Sequence, residues 1–286
     1  MIRFADETTR PQVWEMWKTV FGDPDAYMEL YFRHKYRDEN TLLYMEDGKV
    51  AASLQMLPYL FTFCGTEIPA FYLSGVATLP IYRKRGYVRQ LLMRSFEEAA
   101  RRDVPLILLV PQKEWLLNFY GRFGFAQAFD AGTVELPSLR ELTGKYPGDL
   151  HAAFREFNAL FRQKDMTVQK SFNDFRAIVE EATLYDFPPA KNLTGMARVI
   201  DAGKLLSLFT GRYNRKSFSM NVRDELLKSN NALFTGGQDA SAVAPALTVD
   251  IRELAQLLLG YHTSEKAEPL SALFPEKEPQ MHFMLE

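Results

Sequence analysis

Cysteine is almost missing from these 286 residues: Cys64 stands alone, which excludes an internal disulfide and a cysteine-ligated metal cluster. Histidine is scarce as well. His34, His151, His262 and His282 are scattered, with no HExxH or other ligand spacing, so no catalytic metal is expected. No apolar run approaches the ~18 residues of a membrane span, and Met1 to Glu7 carries early charges where a secretory leader would carry an apolar core. A reducing, cytoplasmic setting with no membrane partner is the expectation. An excess of one charge is also lacking, since 34 Lys and Arg face 36 Asp and Glu for a net −2. That argues against a nucleic-acid partner, and any local basic cluster should serve a small target.

What is present is an ordinary folding composition, 47% hydrophobic and 24% charged, enough for one large domain or two modest ones. Its most informative stretch runs from Tyr72 to Arg89. A β-branched and aromatic strand ends at Pro80, a basic turn holds Arg83, Lys84, Arg85 and Gly86, and apolar residues then recur at Val88, Leu91, Leu92, Phe96 and Ala99, the spacing of one helical face. The turn therefore sits at a helix N-terminus, where free N–H groups and the macrodipole already make a positive end. Adding Arg83, Lys84, Arg85 and Arg89 there is unfavourable unless an anion such as phosphate joins them. A solvated basic helix start is the alternative reading of the cluster alone. The P-loop is excluded by its missing Lys-Ser/Thr pair, and the dinucleotide fingerprint by its missing glycines.

The stretch Arg83-Lys84-Arg85-Gly86-Tyr87-Val88 resembles motif A of the GNAT acyltransferases, Arg/Gln-x-x-Gly-x-Gly/Ala, with Val88 in place of the last small residue. Downstream, Asn118-Phe119-Tyr120-Gly121-Arg122-Phe123-Gly124-Phe125 is similar to the Tyr-x-x-Phe-Gly-Phe motif after the family's next strand. The resemblance implies an α/β (α+β) GNAT fold, a mixed and mostly antiparallel central sheet flanked by helices. It implies acetyl-CoA as co-substrate, held by Arg83, Lys84, Arg85, Gly86, Tyr87, Val88 and Arg89, with Asn118 nearby and pantetheine along Val76 and Thr78. Gly75, alone inside a strong strand, reads as a bulge or a close approach by ligand. The apolar run Pro105 to Pro111 reads as a central strand covered on both faces.

Three units are expected. Residues 1–130 form the GNAT domain. Residues 131–195 form a helical connector or a reduced second GNAT-like lobe. Residues 196–286 form a smaller α+β unit, because Met196 to Asp201 and Leu247 to Gly260 resemble the sterol-carrier-protein-like domain of the Eis-type (enhanced intracellular survival) acetyltransferases.

Direct transfer from a thioester to an amine needs a free amine, a polarised carbonyl and a proton for the thiolate. Tyr120 is the expected acid, because a phenol pKa near ~10 lies close to a thiol's; its other reading is a core aromatic. For the base, the strand from Tyr72 to Thr78 holds no carboxylate. The Eis-type resemblance implies a terminal carboxylate, here Glu286, with Phe283 resembling the family's terminal aromatic. Glu67 and Asp130 are the fallbacks, and Cys64 is the weakest candidate. Asp23 and Asp25 read first as helix caps and second as attraction for a cationic substrate. The function expected is acetyl-CoA-dependent N-acetylation of a small-molecule amine. The alternative is an acyl-CoA-sensing or apolar-ligand-binding protein without catalysis. An assembly of identical subunits is compatible with the resemblance but not specified by it.

Overall fold

The computed structural model describes residues 1–213, 217–236 and 247–285. β1 (Ile2–Phe4) leads into α1 (Arg10–Phe21) and α2 (Asp25–His34), which bury Val13, Met16, Trp17, Tyr27 and Tyr31 along one side. β2 (Thr41–Glu46) turns into β3 (Lys49–Phe63) through Asp47 and Gly48, at φ 48° and 74°, the backbone that a two-residue Asp-Gly hairpin requires. β4 (Thr66–Thr78) completes the meander, and α3 (Tyr87–Arg101) follows, burying Leu91, Leu92, Phe96 and Ala99 as their spacing predicts. β5 (Leu106–Leu109), α4 (Trp115–Gly121) and β6 (Ala126–Phe129) come next.

Successive side chains of a strand point to opposite faces, and the core divides accordingly. Ala70 and Tyr72 of β4 pack with α1 and α2, whereas Phe71 and Leu73 pack with α3. The sheet is sandwiched, with the mixed, mostly antiparallel character expected of it.

After β6 come α5 (Leu139–Gly144), α6 (Leu150–Phe161), β7 (Thr167–Gln169), α7 (Phe172–Leu184) and β8 (Gly195–Val199). The sequence reading opens the C-terminal unit at residue 196, but the strand there belongs to the central sheet. The order is β1-β2-β3-β4-β5-β8-β6, with β8 antiparallel to both neighbours. Residues 131–194 are thus an insertion between two neighbouring strands. β7, too short to show a periodicity, pairs with residues 60–62 of β3, while β2 pairs with β3 only as far as Gln55. Residues 56–59 of β3 consequently have no strand partner on that edge.

The remainder is α8 (Ala202–Arg212), β9 (Phe218–Arg223), β10 (Leu233–Gly236), β11 (Leu247–Asp250) and α9 (Ile251–Leu259). β9 lies between antiparallel β10 and parallel β11. Asp250 caps α9 by accepting from the N–H groups of Arg252 and Glu253, both at 2.9 Å. Leu254, Leu257 and Leu258 fill its buried face, which packs on β6 and β8. The last residues are core and not an appendage. Met281 and His282 are fully buried, and Leu193 N–H donates to the Met281 carbonyl at 2.8 Å. Among the described residues no helix is long and apolar enough to cross a membrane.

Candidate active site

β4 and β5 pair in parallel only as far as Tyr72 and Leu108; β4 then runs on to Thr78 while β5 stops at Leu109. The strands part there, and a small cleft of about 100 Å³ opens between Trp17, Asp23, Ser74, Val76, Leu109 and Tyr120. The bulge expected at Gly75 is present. Gln55 pairs with Ser74 and Ser53 with Ala77, so Gly75 and Val76 together oppose Leu54. Gly75 has φ +57°, and a Cβ there would lie 2.6 Å from the Trp17 ring and 2.9 Å from Gln55 Nε2. Only glycine lets the indole lie on the strand.

Trp17 is fixed from its other end, where its Nε1–H donates to the Asp23 carboxylate at 2.6 Å. This overturns the capping role expected for Asp23. The N-cap of α2 is Pro24, without a side-chain cap bond, and Asp25 sits in the first turn paired with Lys18 at 2.8 Å. Asp23 instead contributes a carboxylate to the cleft. Beneath it the Tyr31 hydroxyl donates to Ser74 Oγ at 2.8 Å, and burial pushes that phenol far above its ordinary pKa. Gln55 Nε2 is a buried donor with no protein acceptor among the described residues. None of Trp17, Gln55 and Tyr31 was foreseen as part of the site, since nothing local distinguishes them from core residues.

The motif A turn leads to the same cleft from outside. Lys84 and Gly86 take φ +64° and +77°, and Gly86 starts α3 with no side-chain cap on the helix's first N–H groups. A Cβ on Gly86 would meet nothing within 4 Å, so the glycine serves the turn and leaves open space above it. Arg83, Lys84 and Arg89 are exposed, and among the described residues none has a carboxylate within ion-pair distance. Arg83 Nε–H only donates to the Thr78 carbonyl at 3.4 Å. Arg85 differs, being paired with Glu46 at 2.5 Å. Tyr87 is buried and stacked on Tyr44 at 3.9 Å, and Val88 is half-buried, so these two offer a ligand their backbone and not their side chains. Thr78 is half-buried at the end of β4, whereas Asn118 is exposed on α4 and does not line the cleft.

Residues 1–128 match a family model described as acetyltransferase (GNAT) domain, and residues 203–281 one described as sterol carrier protein domain. The chain carries a GNAT acetyltransferase domain followed by a sterol carrier protein domain. Similar solved structures span nearly the whole chain. A GCN5-related N-acetyltransferase from Anabaena variabilis superposes with TM-score 0.72 at 15% identity, covering 98% of this chain and 98% of that one. Eis1 from Mycobacterium abscessus does so with TM-score 0.64 at 15% identity, covering 99% of each. A GCN5-related N-acetyltransferase from Kribbella flavida gives 0.64 at 14%, covering 98% of this chain and 96% of that one. These likenesses bear on fold alone. Comparison with curated protein sequences finds no match.

Within the GNAT domain, α4 places Tyr120 at the inner end of the cleft, its ring edge-on to Phe119 and Phe125. Burial pushes its phenol up to about 12, above the near match with a thiol that the sequence suggests. The glycine of the Phe-Gly-Phe motif has its own reason. Gly124 has φ +78°, and a Cβ there would lie 2.9 Å from the Arg198 guanidinium. Arg198, a charged residue inside the apolar strand β8, is fully buried and donates to both carboxylate oxygens of Asp224, at 2.9 and 2.7 Å. Asp224 also accepts from the N–H groups of Leu226 and Leu227 and from Asn230 Nδ2. This buried charge pair joins β8 to the chain leaving β9. A lone arginine within Met196-Ala197-Arg198-Val199 was the available signal.

The other carboxylates and the thiol considered from sequence lie elsewhere. Glu67 is the second residue of β4, seven residues before Ser74, and pairs with Arg162 at 2.8 Å. Asp130 accepts from the Tyr261 hydroxyl at 2.6 Å and lies 2.8 Å from His262 Nε2. Cys64 sits in the β3–β4 turn with its thiol pushed up to about 12 by burial, which disfavours the thiolate that a nucleophile needs. Glu286 lies outside the described residues.

Proposed function

We propose that this chain transfers the acetyl group of acetyl-CoA to the amine of a small molecule. The observation that carries the reading is the continuity of two features: an uncapped helix N-terminus beside three cations, Arg83, Lys84 and Arg89, that have no carboxylate partner among the described residues, and a bulged strand leading from it to Tyr120. The first suits a pyrophosphate. The second leaves residues 74–78 of β4 without a strand partner on the edge where β5 has ended, which suits the amide-rich pantetheine arm. A thioester carbonyl reaching the bulge would find the Val76 N–H as a donor for its developing negative charge.

The amine, once it has lost its ammonium proton to solvent water, attacks the carbonyl carbon; a C–N bond forms, the C–S bond breaks to release the CoA thiolate, and the nitrogen sheds its surplus proton to water. With its phenol pushed up to about 12, Tyr120 stays protonated throughout the physiological range and stabilises the departing thiolate by hydrogen bonding, the thiolate taking its proton from solvent if it takes one. Asp23, the carboxylate lining the cleft, draws in the cationic form of the acceptor. Thiol release from acetyl-CoA across an amine library is the direct test, and binding without turnover would favour the sensing alternative.

Replacing Arg83 or Lys84 by alanine removes one charge-assisted phosphate contact and should weaken acetyl-CoA binding by roughly 1.5–3 kcal/mol in calorimetry. Equal affinity in both variants would move the phosphates elsewhere. Asp23→Asn keeps an acceptor oxygen for the Trp17 indole but removes the charge. Its KM for cationic amines should rise about tenfold, with acetyl-CoA affinity unchanged. If KM does not move, Asp23 is only a support for Trp17.

A further inference from the structure

The unpaired stretch of β3, residues 56–59, lies between the end of β2 and the start of β7. The notch it leaves in the sheet edge is a cavity of about 530 Å³, larger than the acyl-transfer cleft. Its walls are apolar at Leu57, Pro58 and Pro69, and Pro58 suits a position with no edge partner to receive an N–H. Arg37 and Lys170 face it from the two flanking connections.

The charges around this cavity do not balance. Lys170, the residue between β7 and the Ser171 cap of α7, is only 4% exposed. Among the described residues its ammonium has one hydrogen-bond acceptor, the Met284 thioether at 3.1 Å, which is a weak one. It also lies 5.1 Å from the centroid of the Tyr59 ring. The carboxylate nearby, Asp174, is bound to Lys35, which in turn donates to the Tyr59 hydroxyl at 2.8 Å. Two ammonium groups therefore share one carboxylate. Among the described residues Arg37 donates only to the backbone carbonyls of Arg33 and Tyr36. The remaining cation of the wall, Arg162, already has Glu67, and His34 has Glu180 at 2.9 Å. From the C-terminal segment Lys170 is faced by His282, which burial and the Lys170 and Lys164 charges hold neutral.

We propose that this notch is a second ligand site, which takes a small organic anion: one carboxylate or phosphate group, paired with Lys170 and Arg37, on an apolar body lying against Leu57, Pro58 and Pro69. The site is separate from the acyl-transfer cleft but adjoins it. The Tyr59 ring at its floor is edge-on to Tyr72, a cleft residue, at 6.3 Å.

Burial, helped by the Lys35 charge and opposed by Asp174, pushes the Lys170 amine down to about 7. An anion beside it restores a higher value, so binding at pH 8 must take up a proton. The test is calorimetry on the full chain at pH 8 with benzoate, phenyl phosphate and inorganic phosphate, each in two buffers of different ionisation enthalpy. Benzoate or phenyl phosphate should bind with one site per chain and a net proton uptake of up to about one, whichever of the two is tighter identifying the head group. Inorganic phosphate should bind at least tenfold more weakly than phenyl phosphate. Lys170→Met should abolish the proton uptake and weaken binding at least tenfold, without changing acetyl-CoA affinity. Arg37→Gln should weaken binding while leaving the uptake intact, which keeps the test decisive if the Lys170 variant fails to fold. Absence of binding by all three anions, inorganic phosphate binding as tightly as phenyl phosphate, or affinities unchanged in both variants would overturn the proposal.

Discussion

Tyr120→Phe should leave acetyl-CoA affinity within a factor of about two and slow acetyl transfer by on the order of 10²-fold. The substitution removes one oxygen from a ring that keeps its packing against Phe119 and Phe125, so the fold and the motif A turn are untouched. In the proposed mechanism, what is lost is the donor beside the departing sulfur. A phenol near 12 is a weaker acid than a thiol of about 8.5, and full proton transfer to the thiolate in the cleft is therefore uphill. On the proposed mechanism, the contribution of Tyr120 is the charge-assisted hydrogen bond formed as the C–S bond stretches, an interaction stronger in the transition state than in the bound substrate. The measurement is single-turnover thiol release with each protein. Equal rates would return Tyr120 to the core and leave the proton to come from water.

The second large effect concerns stability. Asp224→Ala should destabilise the protein by about 3–5 kcal/mol in urea unfolding, because it strands the Arg198 cation in a fully buried position. Coulomb attraction is not the whole of the loss. The carboxylate also satisfies two backbone N–H groups and Asn230, and the guanidinium lies 5.3 Å from the Phe96 ring centroid on the α3 face. Combining Asp224→Asn with Arg198→Met should recover most of the stability, since the buried charge goes and the acceptor for the turn stays. A double variant as unstable as Asp224→Ala would mean that the turn, and not the charge, is the weak point.

Much of the GNAT domain was legible because its signals are local. Helical spacing placed the buried face of α3, the Asp-Gly pair placed the β2–β3 turn, and an isolated glycine in a strong strand marked the bulge at Gly75. The site was legible only along the backbone that the motifs cover. Asp23 was misread as a cap because two aspartates around a proline carry the same sequence pattern whether or not a distant indole waits for one of them. The place of β8 depended on pairing with strands about 70 and 90 residues earlier, and no periodicity encodes a partner at that separation. Lys170 looked like any other lysine in a polar stretch, because its burial comes from the Met284 and Tyr59 side chains brought in from far along the chain.

The position of β8 also sets an order of events at the ribosome. β5 ends at Leu109, and the strand that covers its open edge begins at Gly195. At ~5–20 residues per second, the apolar strand Leu106–Leu109 waits several seconds for that neighbour while the whole insertion emerges. During the interval the nascent sheet presents an uncovered edge of the kind that invites pairing with other chains. A fragment cut where the acetyltransferase family model ends would keep that edge permanently. The central sheet therefore extends beyond the stretch that the acetyltransferase family model matches.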